Sequence, residues 1–215
     1  MPLGVREPIG MWRSSAARHS QSLEAWYAHI PGLVVAVPST PADNRALLKA
    51  AIRCDDPVVF MEHKNLWALE GEVPDGDDVA EFGKARVVRE GKDVTIVSWS
   101  AAVHTATEAA AALAGEGIEA EVLDLRTLWP WDKNAVFSSV ERNGRLLVVQ
   151  EAVAVAGFGA EVAATVAENL HPALKAPVKR LGAPRIPISY APVLEDQVRI
   201  TADAIAAAAR GLVKA

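Results

Sequence analysis

The chain has 215 residues, of which 51% are hydrophobic and 23% are charged, and its formal net charge at pH 7 is -5. This length can bury the core of one large domain or two small ones, and the balance of apolar and charged residues excludes a disordered tail. The net negative charge argues against binding to a nucleic-acid backbone.

The sequence also bears on the compartment. The single cysteine, Cys54, has no second thiol with which to form a disulfide or a zinc site, which fits a reducing compartment. The opening residues MPLGVREPIG hold no apolar run long enough for a signal peptide, and no stretch approaches the length of a membrane span. We therefore expect a cytoplasmic protein that does not contact the membrane.

Residues 1–68 alternate short apolar runs with helical stretches, a pattern typical of a parallel sheet. Strands are predicted for LGVRE, LVVAVPS and PVVFME, and helices for LEAWYAHI and ADNRALLKAAI. The second helix is signalled best, because Thr40 can cap it, Pro41 suits its first position and Asp43 suits a reciprocal cap. Three strands are too few for a doubly wound domain, so we expect these residues to be the last part of one, with sheet edge uncovered.

The remainder divides into a linker and a second unit. Residues 69–83, LEGEVPDGDDVAEFG, are rich in glycine and carboxylates and predict an acidic, solvated linker. Residues 84–215 predict a complete α/β unit with three layers, α/β/α, around a mostly parallel five-stranded sheet. Its strands are ARVVRE, DVTIVSWS, AEVLDLRTL, RLLVVQEA and PVKRLG, and four helices are expected, the last from about residue 195.

Two histidines of the first part lie where helices begin or end. His19, in RHSQS, precedes a helix, and an imidazole at such a junction is partly exposed and can donate or accept a proton. By position alone, a capping or surface role is the more common one. His29, in AHIPG, follows a helix, where a cation interacts well with the helix dipole, so we expect a structural role.

Polar residues near the third strand are further candidates. Glu62 and His63 end that strand, and ligands of parallel sheets bind beyond such ends, although an exposed polar strand end is slightly favoured as the explanation. Asp55 and Asp56 could attract a cation in the turn before Pro57, but an ordinary turn is favoured.

Gly157 and Gly159 follow a strand and open a helix, as in a dinucleotide fingerprint. The third glycine position holds Val162 and the next strand ends in basic residues, so a nicotinamide-binding protein is disfavoured. We expect the glycines to let a helix begin close to the sheet or to a neighbouring subunit. His104 and His171 have no partners nearby in the sequence and are interpreted as ordinary helix-end residues.

Several longer runs share the order of a known family. They are RHSQSLEAWYAHIPGLVVAVPSTPADNRALLKAAIRCDDPVVFMEHK, DVTIVSWSAAVH, EVLDLRTLWPWD, VVQEAVAVAGFGAEVAA and RIPISYAP. Together they resemble the beta subunit of the thiamine-diphosphate-dependent 2-oxo acid dehydrogenases, the decarboxylating component of the pyruvate, branched-chain and acetoin complexes. The resemblance covers almost the whole chain, which makes it more specific than any single motif.

The resemblance implies the last part of a pyrimidine-binding domain at residues 1–68 and a transketolase-type C-terminal domain at residues 84–215. It implies that His19 faces a thiamine active site formed with the alpha subunit, where it assists acyl transfer to the lipoyl arm.

The resemblance also implies cofactors and partners. Thiamine diphosphate and Mg²⁺ act in the complete assembly, and a K⁺ ion can be held by main-chain oxygens at the turn of Ala51, Cys54 and Asp56. The partners are an alpha subunit, the dihydrolipoyl acyltransferase core and a second copy of the beta chain, which gives a homodimer.

Three departures from the family pattern limit what the isolated chain can do. The glutamate that activates the aminopyrimidine ring lies upstream of the matched residues, and the diphosphate and magnesium motif belongs to the alpha subunit, so the isolated chain is expected to be inactive. The loop before His19 is poorer in glycine than the usual family form. The alternative is a non-catalytic dimerisation and docking module of the same complex.

Overall fold

The computed structural model describes residues 1–215, which form two sheets with helices packed against them. The strands are β1 (Gly4–Ile9), β2 (Val34–Ala36), β3 (Val58–His63), β4 (Arg86–Arg89), β5 (Val94–Ser98), β6 (Ala120–Asp124), β7 (Thr127–Trp129), β8 (Leu146–Val153) and β9 (Lys179–Ala183). The helices are α1 (Ala16–His19), α2 (Glu24–Ala28), α3 (Pro41–Arg53), α4 (Ala102–Ala114), α5 (Lys133–Asn143), α6 (Phe158–Leu170), α7 (Pro192–Asp196) and α8 (Ala202–Lys214). None of these helices combines the length and the apolar character that crossing a membrane requires.

The first sheet has the strand order β1-β3-β2-β7, and its first three strands are parallel. The strand β7 runs antiparallel to β2 and covers that edge, whereas β1 pairs with β3 alone. The prediction of one strand for AEVLDLRTL is therefore wrong. The chain turns at Arg126, whose φ of 61° lies in the left-handed region, and the strand splits between the two sheets.

Alternation along the strands of the first sheet gives it two apolar faces. One face, which includes Val34 and Phe60, packs against α3. The opposite face, which includes Val35 and Met61, belongs to a cluster of 19 buried residues that also holds Val97 from the second sheet. The two sheets therefore share one core.

The second sheet has the order β4-β6-β5-β8-β9, and only β4 is antiparallel to its neighbour. Buried side chains of α4 and α8 cover one face, and those of α5 and α6 cover the face toward the shared core. This arrangement confirms the predicted three-layer, mostly parallel five-stranded unit. The predicted last helix is in fact two helices, α7 and α8, because Thr201 starts a new helix by accepting a hydrogen bond from the Ala204 main-chain nitrogen at 3.2 Å.

Helix α3 begins as predicted. The Thr40 hydroxyl accepts a hydrogen bond from the Asp43 main-chain nitrogen at 3.1 Å, and Pro41 occupies the first helical position. Residues 69–83 are largely exposed, but they are fixed to this helix, since Asp77 pairs with Arg53 at 2.7 Å. The linker therefore lies along α3.

Helix α6 begins very close to β8. A methyl group on Gly157 would lie 1.9 Å from the Gln150 side-chain nitrogen, and the Gly159 main-chain nitrogen donates to the Gln150 side-chain oxygen at 2.8 Å. The glycines thus allow the predicted close approach of helix and sheet, and a side-chain amide occupies the main-chain donor that a bound phosphate would need.

Candidate active site

The candidate site lies at the carboxyl ends of β1 and β3, the position where parallel sheets commonly bind ligands. The His19 loop, residues 10–23, connects β1 to α2 there, and His19 is the last residue of α1. The exposed His19 lines a cleft of about 380 Å³. The Trp12 and Trp67 rings, 6.0 Å apart between centroids, also line this cleft. We call it the His19 cleft.

Tyr27 adds a polar group to the His19 cleft. Its hydroxyl lies 3.5 Å from a carboxylate oxygen of Glu7. Burial, and then the negative charge of Glu7, raise the pKa of Tyr27 above its ordinary value. The hydroxyl therefore remains a proton donor at neutral pH.

The backbone of the His19 loop is constrained. Gly10 has a φ of 94°, and a methyl group there would lie 2.1 Å from Nε2 of His63. Arg13, Ser14 and Ala16 have φ values of 44°, 57° and 59°, although none of them is glycine. Three non-glycine residues in the left-handed region explain how a loop poor in glycine still turns sharply.

Two carboxylates on the side of the second sheet accept hydrogen bonds from this loop. The main-chain nitrogen of Met11 donates to Oε1 of Glu151 at 2.7 Å, and that of Ser14 donates to Oε2 of Glu195 at 2.8 Å. Glu151 lies on β8 and Glu195 on α7. Both residues are more than 130 positions away in sequence from their donors.

Lys64 holds the other end of the loop. It follows β3, is buried, and its ammonium group donates to the main-chain oxygen of His19. Burial lowers the pKa of Lys64, while the charges of Glu151 and Glu195 oppose this shift. His19 is thus tied to the strand end as well as to its own helix.

The expectation of an exposed polar strand end is wrong for His63, whose side chain is only 2% exposed. Its Nδ1 accepts a hydrogen bond from the Asn65 main-chain nitrogen at 3.2 Å, so the ring proton lies on Nε2 and is donated to Glu151 at 3.0 Å. Glu62 is partly buried and forms a two-point ion pair with Arg6.

Glu24 lies beneath the loop and is fully buried. One of its oxygens accepts a hydrogen bond from the Trp99 indole nitrogen at 3.1 Å, and the other has no partner. Burial raises the pKa of Glu24, although the hydrogen bonds from its own main-chain nitrogen and from Trp99 favour the ionised form. The carboxylate joins the first part of the chain to the second sheet.

Sequence reasoning missed Glu24, Lys64, Glu151 and Glu195. The one available signal concerned Glu151 and Lys64, which lie near or just after the carboxyl end of a parallel strand as Glu62 does. Glu24 and Glu195 give no such signal in the sequence.

The other predicted residues lie outside the His19 cleft. His104 lies in the first turn of α4, and its Nε2 lies 2.7 Å from the Ser39 main-chain oxygen, which links α4 to the loop after β2. Ala51, Cys54 and Asp56 lie at the C-terminal end of α3 and in the turn after it. Side chains in residues 1–215 form no cluster of three or more His, Cys, Asp or Glu able to hold a metal ion.

A second polar group lies between the two sheets. Asp124 is completely buried at the end of β6, where it accepts a hydrogen bond from the Ser39 hydroxyl and pairs with Arg86 at 3.3 Å. Burial raises the pKa of Asp124 from 3.8 to about 6, although Ser39 and Arg86 favour the ionised form.

We expect the stability of the wild-type protein relative to Asp124→Asn to increase as the pH falls from about 7 to about 4. The folded-state pKa of Asp124 exceeds the unfolded-state value, so ionisation above about pH 6 costs stability. A pKa difference of about 2 corresponds to about 3 kcal/mol. Urea unfolding at several pH values measures it, with Asp75→Asn on the exposed linker as the control. A stability difference that does not change with pH would contradict the assignment.

A larger cleft of about 680 Å³ is also lined in part by residues of the His19 loop. It is lined by Ser20, Ser22 and Trp26 and by apolar residues of 152–157 and 186–188. Trp26 is 71% exposed at its rim. We call this the apolar cleft.

Comparison with known proteins places these features in a family. The model of the transketolase pyrimidine-binding domain matches residues 1–68, and that of the transketolase C-terminal domain matches residues 83–205. Among solved structures, a split-gene transketolase described as an inactive beta4 tetramer has a TM-score of 0.79 and 27% identity, covering 98% of this chain and 65% of its own.

Curated relatives are similar over almost the whole chain. The beta subunit of the acetoin:2,6-dichlorophenolindophenol oxidoreductase of Cupriavidus necator is 50% identical over 213 residues, 99% of this chain and 63% of the relative. The beta subunit of the 2-oxoisovalerate dehydrogenase of Bacillus subtilis is 45% identical, covering 98% and 65%. A pyruvate dehydrogenase beta subunit of Porphyra purpurea is 42% identical, covering 99% and 64%.

The chain thus spans a little under two thirds of the length of these relatives. Its two matched regions are a transketolase pyrimidine-binding domain and a transketolase C-terminal domain. The chain therefore belongs to the transketolase family, and it is similar over almost its whole length to beta subunits of 2-oxo acid dehydrogenases.

Proposed function

We propose that residues 1–215 act as part of the beta subunit of a decarboxylating 2-oxo acid dehydrogenase, which oxidatively decarboxylates a 2-oxo acid and transfers the acyl group to a lipoyl arm. The observation that carries this proposal is the position of His19 in an aromatic cleft at the carboxyl ends of β1 and β3. Over 213 residues the chain is also 50% identical to the beta subunit of the acetoin:2,6-dichlorophenolindophenol oxidoreductase.

The His19 cleft fits one end of thiamine diphosphate. Its indole and phenol rings, from Trp12, Trp67 and Tyr27, suit the flat aminopyrimidine ring, and its volume of about 380 Å³ admits a ring system. When bound, this cofactor supplies the electron sink for decarboxylation. We assign Mg²⁺ and the diphosphate groups to the alpha subunit, and a K⁺ ion to the main-chain oxygens of Ala51, Cys54 and Asp56, where a helix end leaves carbonyl groups without helical partners.

His19 acts as the proton donor in acyl transfer. The electron pair left when carbon dioxide departs reduces the lipoyl disulfide, one sulfur takes the acyl group, and the other sulfur takes a proton. The His19 imidazole is exposed and lines the cleft, so an incoming arm can reach it and take that proton.

The same proposal covers domain division and partners. Residues 1–68 form the last part of the pyrimidine-binding domain, residues 69–83 the linker, and residues 84–215 the C-terminal domain. An alpha subunit completes the active site, a second beta chain forms a homodimer, and the acyltransferase core receives the acyl group, all in the cytoplasm. Exposed apolar side chains support such contacts: Trp26, Val155, Ile186, Tyr190, Val193 and Leu194.

A non-catalytic role as a dimerisation and docking module of the same complex is the second candidate. The apolar cleft favours this role, because an apolar cleft with a volume of about 680 Å³ suits a side chain or segment of a partner chain. This candidate requires no proton donor at residue 19.

A chimaera tests the proposal and supplies the parts of a full-length beta subunit that lie outside residues 1–215. Residues 1–215 replace the matching segment of the Cupriavidus necator beta subunit, which is then assembled with its alpha subunit and thiamine diphosphate. We expect substrate-dependent reduction of 2,6-dichlorophenolindophenol with one of acetoin, pyruvate or 2-oxoisovalerate. A chimaera that assembles, as judged by sedimentation, yet reduces no dye with any of the three would support the docking module instead.

A further inference from the structure

The His19 loop holds a conformation that its own sequence does not favour. Arg13, Ser14 and Ala16 all have φ between 44° and 59°. A non-glycine residue in this region costs about 1–2 kcal/mol relative to the right-handed helical region, so the three together need a substantial external restraint. Without such a restraint the residues before His19 would relax, and the imidazole would move with them.

Two carboxylates restrain the backbone of this segment directly. Glu195 is 3% exposed in its side chain and accepts the Ser14 main-chain N–H at 2.8 Å, at the centre of the strained segment. Glu151 accepts the Met11 main-chain N–H at 2.7 Å, at its start. Hydrogen bonds from main-chain N–H groups to ionised carboxylates are about twice as strong as neutral ones, which suits them to hold strained backbone.

Neighbouring cations and donors hold these two carboxylates in place. The Arg199 guanidinium, four residues further along the chain, donates a hydrogen bond to Glu195. His63 donates its Nε2 proton to Glu151 at 3.0 Å. Lys64 lies near both carboxylates and donates to the main-chain oxygen of His19 itself. Glu151 and Glu195 therefore act on His19 through the loop backbone.

We propose that Glu151 and Glu195 are positioning residues, which fix the place of the His19 imidazole at its cleft by holding the strained backbone before it. Neither carboxylate contacts the imidazole. The effect on acyl transfer rests on the proposed function, whereas the restraint on the loop does not. Residues on the side of the second sheet thus help to position His19, which lies in the first part of the chain.

Limited proteolysis of the 215-residue chain tests the restraint. Arg13 and Arg18 are exposed in the loop, and trypsin must unfold the loop backbone to cleave after them. We expect Glu195→Ala to raise cleavage at these two sites by about tenfold or more and cleavage at other sites far less, with a modest fall in the midpoint of thermal unfolding because Arg199 loses a buried partner. Glu195→Gln, which keeps a neutral acceptor, restores part of the protection. Glu168→Ala, exposed on α6, is the control.

Three outcomes overturn the restraint. They are unchanged cleavage at Arg13 and Arg18 in Glu195→Ala, rapid cleavage at both sites in the wild-type chain, and equal acceleration at every site, which is global destabilisation. If Glu195→Ala does not fold, Glu195→Gln and Glu151→Gln decide in its place, each with an intermediate rise confined to the same two sites.

A double-mutant cycle in the assembled chimaera tests the catalytic consequence. Glu195→Ala is expected to lower kcat for transfer to a lipoyl domain about tenfold with KM for the 2-oxo acid unchanged, and to have no further effect when His19 is already asparagine. Additive losses would show that Glu195 does not act through His19. If the unsubstituted chimaera lacks activity, the proposed function fails, and the proteolysis still decides the restraint.

Discussion

Replacing His19 by asparagine in the assembled chimaera is expected to lower the rate of acyl transfer to a lipoyl domain by about 10²–10⁴-fold, the range typical of a lost general acid. Asparagine retains a polar group of similar size but cannot give up a proton near neutral pH. Reduction of the artificial dye opens no disulfide and needs no proton on sulfur. We therefore expect the dye assay to lose much less activity than the lipoyl assay.

The matched control for this prediction is His29→Asn. His29 is also exposed and lies just after a short helix, but it does not line the His19 cleft. Single-turnover mixing with a lipoyl domain, followed by mass spectrometry, measures the transfer step for each variant. Equal rates for His19→Asn and the unsubstituted chimaera would remove His19 from the reaction.

The second large effect concerns stability. Asp43 is 9% exposed in its side chain and forms ion pairs with Arg126 at 2.9 Å and with Arg86 at 3.2 Å. Arg86 keeps its pair with Asp124, but Arg126 loses its one acidic partner, so Asp43→Ala is expected to cost about 2–4 kcal/mol of unfolding free energy. Thr40 also loses its reciprocal contact at the start of α3.

Urea denaturation at neutral pH measures this effect. Asp77→Ala is the control, because Asp77 also pairs with two cations, Arg53 and Lys49, but its side chain is 71% exposed. Solvent screens such pairs, so we expect a far smaller change for the control. Equal losses for the two variants would contradict the view that the buried pairs between the sheets stabilise the fold.

Local signals in the sequence were sufficient for much of the fold. The cap at Thr40 and the proline after it located the start of α3, and continuous apolar runs located β5 and β8. The split between β6 and β7 could not be predicted, because it depends on a positive φ at Arg126, a residue type that gives no sign of it. Pairing of β7 with β2 is a tertiary contact that periodicity does not encode.

The residues of the site also differ in whether local sequence signals could predict them. His19 was found because the run around it resembles a family motif, not because its position is distinctive. The groups that hold its loop, Glu151 and Glu195, are joined to it by main-chain hydrogen bonds across 140 and 181 positions. Such bonds use the backbone of any residue, so they leave no pattern in the donor's sequence. For the same reason His63 was misjudged, since its partner lies on β8.

The most direct measurement of the proposed function is an omission series on the assembled chimaera. Turnover of the preferred 2-oxo substrate is followed by dye reduction with the alpha subunit, thiamine diphosphate or the chimaeric beta chain left out in turn. We expect each omission to reduce the rate to background. Undiminished turnover without the chimaeric beta chain, or background rates in the complete mixture, would contradict a catalytic role for residues 1–215.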